Sequence, residues 1–426
     1  MAAIRTDTVG VETADRPARG MFRLLIDPLF GLFFWGKLLS TTGVWIHNIV
    51  AALIAFQLTG SALVVGMVSA AQFLPQLLLT PLSGTMADRG RRERQIIVGR
   101  LVGALGSGGL AAWIWLAGGI EGLPGAAPIV ASSAVVGLSF VIGGPAMQSI
   151  VPALIRKGEL APAMALNGTP MIAARVAGPA LGALIAVQLS PAIAFALAAA
   201  GNALFAICVS LLTVPQRPRP ARGTDFSVRA ALRYLRTDRP LILLLVIVGA
   251  VGIGAEPSVT LGPAIADSLG AGSGFVGWLT SAFGIGAAVG LLIFTPLRRG
   301  LGLARSTNVG LAILAIGLCA VSVGHTQTLT LLAFGVAGIG MTLAFTGSST
   351  LLQARLPESL RGRIMALWLV AFTGLRPVAA GLTGLLADIA SIAIAVLATA
   401  IVVAVAAMVC RPKLLTVPVP HTAERG

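Results

Sequence analysis

Long apolar runs alternate with short polar segments from residue 28 to residue 410. A helix needs about 20 apolar residues to cross a bilayer. Twelve runs meet that length within a few residues: 29–58, 62–87, 95–117, 126–150, 165–188, 191–213, 240–262, 274–297, 306–323, 328–352, 364–387 and 390–410. Stretches such as LILLLVIVGAVGIG, 241–254, are apolar throughout. They lack the two-residue alternation that a membrane β-barrel strand requires. The pattern predicts an all-α integral membrane protein of twelve transmembrane helices. It divides the chain into a tail (1–27), six helices (28–213), a central loop (214–239), six more helices (240–410) and a second tail (411–426). The apolar run that follows residue 27 is too long for the core of a cleavable signal peptide. In the central loop, PQRPRPARG reads as a linker. Phe226, Ala230 and Tyr234 then recur at helical spacing, which suits an amphipathic surface helix.

Composition strengthens this reading. Of the 426 residues, 56% are hydrophobic and 11% charged, with mean hydropathy +0.93. Soluble domains carry about 25% charged residues. The net charge of +15 would suit nucleic acid if it lay on one soluble face. Instead, 27 of the 30 lysines and arginines fall in the tails and in every second loop. The remaining loops lack them and carry Glu121, Asp267 and Asp388. Basic loops stay on the cytoplasmic side, so both termini are expected there, in a multi-pass protein of the inner membrane. Cys208, Cys319 and Cys410 lie in or beside apolar runs, without metal or disulfide spacing. They read as small core residues.

The two halves are weakly alike. Span 2 opens GSALVVGM and ends TPL; span 8 opens GSGFVGW and also ends TPL. VPALIRKGELAPAMAL after span 4 is echoed by LPESLRGRIMAL after span 10. Paired six-helix repeats are a transporter arrangement with the binding site between them.

The loop after span 2 reads GTMADRGRRERQ. It resembles the signature loop of the major facilitator superfamily at Gly84, Asp88 and Arg89, with Arg92 and Arg94 in the basic tail. Gly90 follows Arg89 directly, one residue earlier than that superfamily's second glycine. LTGSALVVGM, RVAGPALGALI and LPESLRGRIMAL extend the resemblance to the branch of enterobactin exporters and macrolide-efflux proteins, the transmembrane secretion effectors. The resemblance covers nearly the whole chain. It implies two six-helix halves, alternating access and proton-coupled export. It also places Asp88 opposite the start of span 11, near Arg361 and Arg363, as a cytoplasmic gate. A helix N-terminus attracts such an anion. The same basic residues also serve as a topology anchor.

Ionisable groups inside spans are costly and belong against a cavity or a partner. Glu256 is the one acid well inside a span, in GIGAEPSVTLGP, where Gly252, Gly254 and Pro257 predict a broken helix. It is the candidate for proton coupling, with an ion pair to Arg376 as the structural alternative. Arg175 and Arg376 are candidates for holding an anionic substrate group. Lys37, Thr41 and Asn48 share one face of span 1 and complete the candidate cavity, with Lys37 set to meet substrate or to balance Glu256. Ala174, Gly178 and Gly182 recur every four residues in span 5, beside Pro179, and predict close helix packing.

Gly31, Gly36 and Lys37 share part of the spacing of a nucleotide-binding loop. Leu38 stands where serine or threonine is needed, and the run is helical, so no nucleotide is expected. No cofactor, metal or nucleic acid is expected. The chain carries no HExxH or acidic cluster, nor GxSxG with catalytic partners, and an enzyme is not expected. The leading expectation is a secondary exporter of a drug or small secreted metabolite, driven by protons. A proton-coupled importer on the same fold is the alternative, and a non-transporting receptor or scaffold comes third. The mixed cationic and neutral lining favours anionic or neutral substrates.

Overall fold

The computed structural model describes residues 20–89, 92–156, 158–212, 238–356 and 358–416, without the side chains of 80–89, 161, 358–363 and 366. Twelve helices within it are long and apolar enough to cross a membrane. They are α1 (Phe30–Thr59), α2 (Ala62–Arg89), α3 (Arg92–Leu116), α4 (Ala127–Ser149), α5 (Leu160–Gln188) and α6 (Pro191–Ser210). The second set is α7 (Arg239–Ala255, continued by Pro257–Thr260), α8 (Phe275–Leu301), α9 (Leu303–Ser322), α10 (Gln327–Arg355), α11 (Glu358–Gly374 and Arg376–Ile389) and α12 (Ile392–Val409). The expected helix count therefore holds, with boundaries shifted by a few residues. The expected amphipathic segment with Phe226, Ala230 and Tyr234 lies outside the described residues.

Local chemistry sets the ends. Asp27 Oδ1 accepts from the backbone N–H groups of Leu29 (3.0 Å) and Phe30 (2.9 Å), satisfying donors at the start of α1. Ser190, Thr326 and Ser391 cap α6, α10 and α12 by accepting from the third residue onward. Gly60 turns the chain from α1 into α2 at φ +63°, a left-handed conformation that glycine adopts without strain. Only Gly60 and Ser61 separate α1 from α2, so these two helices run antiparallel.

In the first half, α1 packs on α5 and α6, and α3 packs on α4 and α6. In the second, α9 packs on α10 and α12, and α8 packs on α10. Two seams join the halves: α2 against α11, and α5 against α8. Each half has its own core, from Ile49, Val50 and Phe195 in one to Leu244, Phe283 and Phe334 in the other. Leu105, Trp115, Leu292 and Ile316 point outward and are largely exposed. An apolar belt of this kind needs lipid as its solvent.

Two helices are broken where charge is buried. α7 stops at Ala255, bears Glu256 at the break, and resumes at Pro257. Proline lacks the N–H that would continue the ladder. α11 breaks at Leu375, and its second piece starts with Arg376 and Pro377. The broken helix foreseen at Glu256 is thus present, and a second break faces it.

Candidate transport site

The two breaks meet. Glu256 is fully buried, and its Oε1 accepts from Arg376 Nε in an ion pair. Its Oε2 accepts from Ser69 Oγ (3.1 Å) on α2 and from Thr260 Oγ1 (3.1 Å). The carboxylate is therefore held by both halves of the molecule, through α2 on one side and α7 and α11 on the other. The Arg376 guanidinium lies 3.9 Å from the ring centroid of Phe73 on α2 and 5.8 Å from that of Phe372. Arginine over an aromatic face gains about 0.5–2 kcal/mol. A buried charge needs such partners, because breaking a buried pair costs about 3–5 kcal/mol. Of the two roles set for Lys37, balancing Glu256 falls to Arg376 instead.

Arg175 occupies the other seam. Its guanidinium lies between Trp45 (5.6 Å) on α1 and Phe283 (5.0 Å) on α8, and Nη2 donates to Met341 Sδ at 3.3 Å. A thioether is a weak acceptor. Three aromatic or sulfur surfaces thus cradle a cation whose strong hydrogen-bonding capacity is still available. That is a fitting arrangement for an anionic or carbonyl-rich group between the halves.

Lys37 is buried and donates to the backbone oxygen (2.9 Å) and Oδ1 (2.6 Å) of Asn167 on α5. Asn167 in turn donates to Gln148 Oε1 at 2.9 Å. Lys37 thus ties α1 to α5 within the first half. Thr41 Oγ1 donates to the carbonyl of Lys37 (2.7 Å), so its hydroxyl serves its own helix. Asn48 Oδ1 accepts from Gln72 Nε2 of α2 at 2.9 Å. Along α1 the polar stripe is therefore divided between α5, its own helix and α2.

The spacing in α5 does what its small residues predict. A Cβ at Gly178 would meet Trp45 Cβ at 2.6 Å, and one at Gly182 would meet Ile49 Cγ2 at 2.7 Å. Both glycines therefore press α5 onto α1. Ala174 is fully buried, and the carbonyl of Pro179 lies 2.8 Å from a Cβ built at Gly277 of α8.

At the other end, α2 runs as helix through Gly84 and Asp88 to Arg89. The side chains of Asp88, Arg89, Arg361 and Arg363, and with them the gate contact expected there, lie outside the described residues. Arg92 Nη1 donates to the carbonyl of Ser149 at 3.2 Å, bridging α3 to the end of α4 within one half.

One buried cation escaped sequence reasoning. Arg100 counts there with the basic loop after span 2, but it lies two turns inside α3 and only 2% of it is exposed. It donates to Ser40 Oγ (3.1 Å), Asn202 Oδ1 (3.4 Å) and the carbonyl of Ser139 (3.3 Å), and its guanidinium lies 5.2 Å from the Phe140 ring. One side chain thus joins α1, α3, α4 and α6. The clue was its apolar flank, IIVGRLVG. His47 is likewise buried, between Ser107 Oγ (3.1 Å) and Ser133 Oγ (3.4 Å), against Phe195.

A family model described as transmembrane secretion effector matches residues 20–424. The chain belongs to the transmembrane secretion effectors of the major facilitator superfamily. It is 30% identical over 320 residues to the enterobactin exporter EntS of Salmonella choleraesuis strain SC-B67, covering 73% of this chain and 71% of that protein. The EntS of Escherichia coli O1:K1 / APEC is 28% identical over 319 residues, covering 73% and 70%. Among solved structures, a peptide transporter of the POT family shares the fold at TM-score 0.73 and 13% identity, over 93% of this chain and 96% of that one. A bacterial homologue of the iron transporter ferroportin in an inward-facing state shares it at TM-score 0.67 and 17% identity, over 94% and 100%. The protein is a multi-pass membrane transporter of small molecules and not an enzyme.

Proposed function

We propose that this secretion effector is a proton-coupled exporter of a small secreted metabolite or drug, working by alternating access from an inner membrane. The observation that carries the reading is Glu256, fully buried at a helix break, paired with Arg376 and hydrogen-bonded to Ser69 across the halves. A proton on Glu256 removes one partner of that ion pair. It weakens the tie of α7 and α11 to α2. A contact present in only one conformation shifts the equilibrium by its differential energy. Proton arrival at Glu256 thereby biases the exchange between conformations that carries substrate out.

Basic loops on one side orient the chain, so the Arg89 end of α2 faces the cytoplasm and the Gly60 end faces outward. The halves are in contact near the Gly60 end, where Gly66 and Gly384 lie against Ala380 and Ala62. That contact fits a state closed to the outside. Asp88, with Arg361 and Arg363, takes the opposing gate at the cytoplasmic end. Arg175 and Arg376 favour anionic or neutral substrates, and kinship to enterobactin exporters supports a secreted metabolite of that kind. Export is the preferred direction because the relatives named above are exporters.

Inverted membrane vesicles test the reading. With an inward-acid gradient imposed, vesicles holding the protein should accumulate enterobactin above control vesicles, and a protonophore should abolish the excess. Accumulation that ignores the protonophore contradicts proton coupling. Uptake favoured in right-side-out vesicles instead supports the importer.

A further inference from the structure

Asp388 sits in the last turn of α11, at the Gly60 end of the molecule. A carboxylate is electrostatically misplaced at the C-terminus of its own helix, where the carbonyl dipoles are negative. Its partners belong to the other half. Asp388 Oδ2 accepts from Ser61 Oγ at 2.5 Å and from the Leu63 N–H at 3.1 Å. Its Oδ1 accepts from the Ala62 N–H at 2.8 Å. These are donors of the first turn of α2, which has no intrahelical acceptor for them. The carboxylate of one half thus caps a helix of the other.

The backbones are pressed together around it. A Cβ at Gly384 would fall 2.5 Å from the carbonyl of Ala62, and one at Gly66 would fall 2.3 Å from the carbonyl of Ala380. Farther along, Gly374 faces Leu77. The two helices therefore run antiparallel, start against end. Their sequences end alike: Gly84, Ala87 and Asp88 close α2, and Gly384, Ala387 and Asp388 close α11 with the same spacing.

We infer that Asp388 is the latch of the Gly60 end: its contact with Ser61, Ala62 and Leu63 holds the two halves together there and must break for that end to open. Asp388 is itself exposed, so water replaces its partners when the contact parts. A cap that water can substitute is cheap to break in each cycle, unlike the buried pair at Glu256. In sequence the helix pair α2–α11 carries an Asp near each end, Asp88 on α2 and Asp388 on α11.

The inference rests on the alternating-access reading, but its test needs neither substrate nor proton gradient. Purified full-length protein in nanodiscs carries spin labels at Glu121→Cys and His325→Cys, exposed loop positions of opposite halves at this end, with Cys208, Cys319 and Cys410 changed to alanine. Pulsed electron resonance reads their separation. With Asp388 intact the shorter separation should dominate. Asp388→Ala should raise the ratio of long to short separations by about 5- to 30-fold, the range that a loss of one or two kcal/mol gives. Ser61→Ala, which removes one donor, should raise it less. An Asp388→Ala distribution equal to that of the parent, in protein of unchanged melting temperature, overturns the latch. If Asp388→Ala does not fold, Asp388→Leu, which keeps the approximate shape without an acceptor, is read in its place, and an unchanged distribution there overturns it equally. These outcomes leave proton coupling standing or falling on the vesicle experiment.

Discussion

The two seams between the halves are made of different material. The seam on α2 adds polar and charged contacts to its close backbone approach: Asp388 on the start of α2, Ser69 on Glu256 of α7, and Arg376 over Phe73. Along α5–α8 the described contacts are close approaches of backbone, joined by the cation–aromatic contact of Arg175 with Phe283. A Cβ at Gly277 would meet Ala183 Cβ at 2.7 Å, and one at Gly284 would meet the carbonyl of Arg175 at 2.7 Å. A proton or a substrate can alter the first kind of seam, because its energy depends on charge. The second depends mainly on shape, with Arg175 over Phe283 as its charged point. The difference teaches that coupling chemistry need not be spread over the whole interface. One seam can be switched while the other keeps the halves in register.

The comparison can be broken most forcefully at Glu256. Alanine there takes the carboxylate partner from the part-buried Arg376, and about 3–5 kcal/mol of stability should be lost. A melting curve in detergent that matches wild type would show that the pair is not needed to hold the seam. On the shape-dependent seam, Gly284→Leu should cost about 1–3 kcal/mol through overpacking. The loss should be the same at pH 6 and pH 8; a strongly pH-dependent loss would erase the distinction between the seams.

Arg175 sharpens the picture at the point where the shape-dependent seam meets substrate. Arg175→Gln removes two cation–aromatic contacts, each about 0.5–1 kcal/mol at exposed sites and more when desolvated. Binding of enterobactin, measured by fluorescence quenching, should weaken by about tenfold or more, as expected for a charge-assisted contact. Equal binding by both proteins would remove Arg175 from the site. Lys37→Gln should do least. Glutamine retains a donor for Asn167, so stability should fall by about 1 kcal/mol or less. Transport of charged and neutral substrates should change in step. A selective loss of anionic substrates would return Lys37 to the cavity.

Much of the fold was legible because membrane helices announce themselves locally. Run length and the placement of lysine and arginine are properties of short windows, and a miscounted span would have mixed basic and acidic loops. The helix break at Glu256 was equally local, since Pro257 sits beside it. Close packing by Gly178 and Gly182 followed from a four-residue spacing. Partners were not local. Lys37 finds Asn167 at a separation of 130 residues, and Asp388 finds Ala62 at 326. No periodicity encodes such pairings; they follow from which helices the topology places side by side. The pairing of Glu256 with Arg376 was one of the alternatives open from sequence, and only the seam decides it over Lys37. Arg100 was obscured for a different reason. It follows a cluster of loop arginines closely, so the positive-inside pattern absorbed it. The shared endings of α2 and α11, with Gly84, Ala87 and Asp88 in one and Gly384, Ala387 and Asp388 in the other, stand out only after the helix pair is known to be antiparallel.

Glu256→Gln keeps the size and a hydrogen-bond acceptor of the side chain while it removes the titratable proton. In proteoliposomes, wild-type protein should drive enterobactin uphill against a pH gradient and should also exchange it at equal pH on both sides. The account predicts that Glu256→Gln retains equal-pH exchange and loses gradient-driven accumulation. Undiminished accumulation by Glu256→Gln would contradict the claim that this carboxylate couples protons to transport.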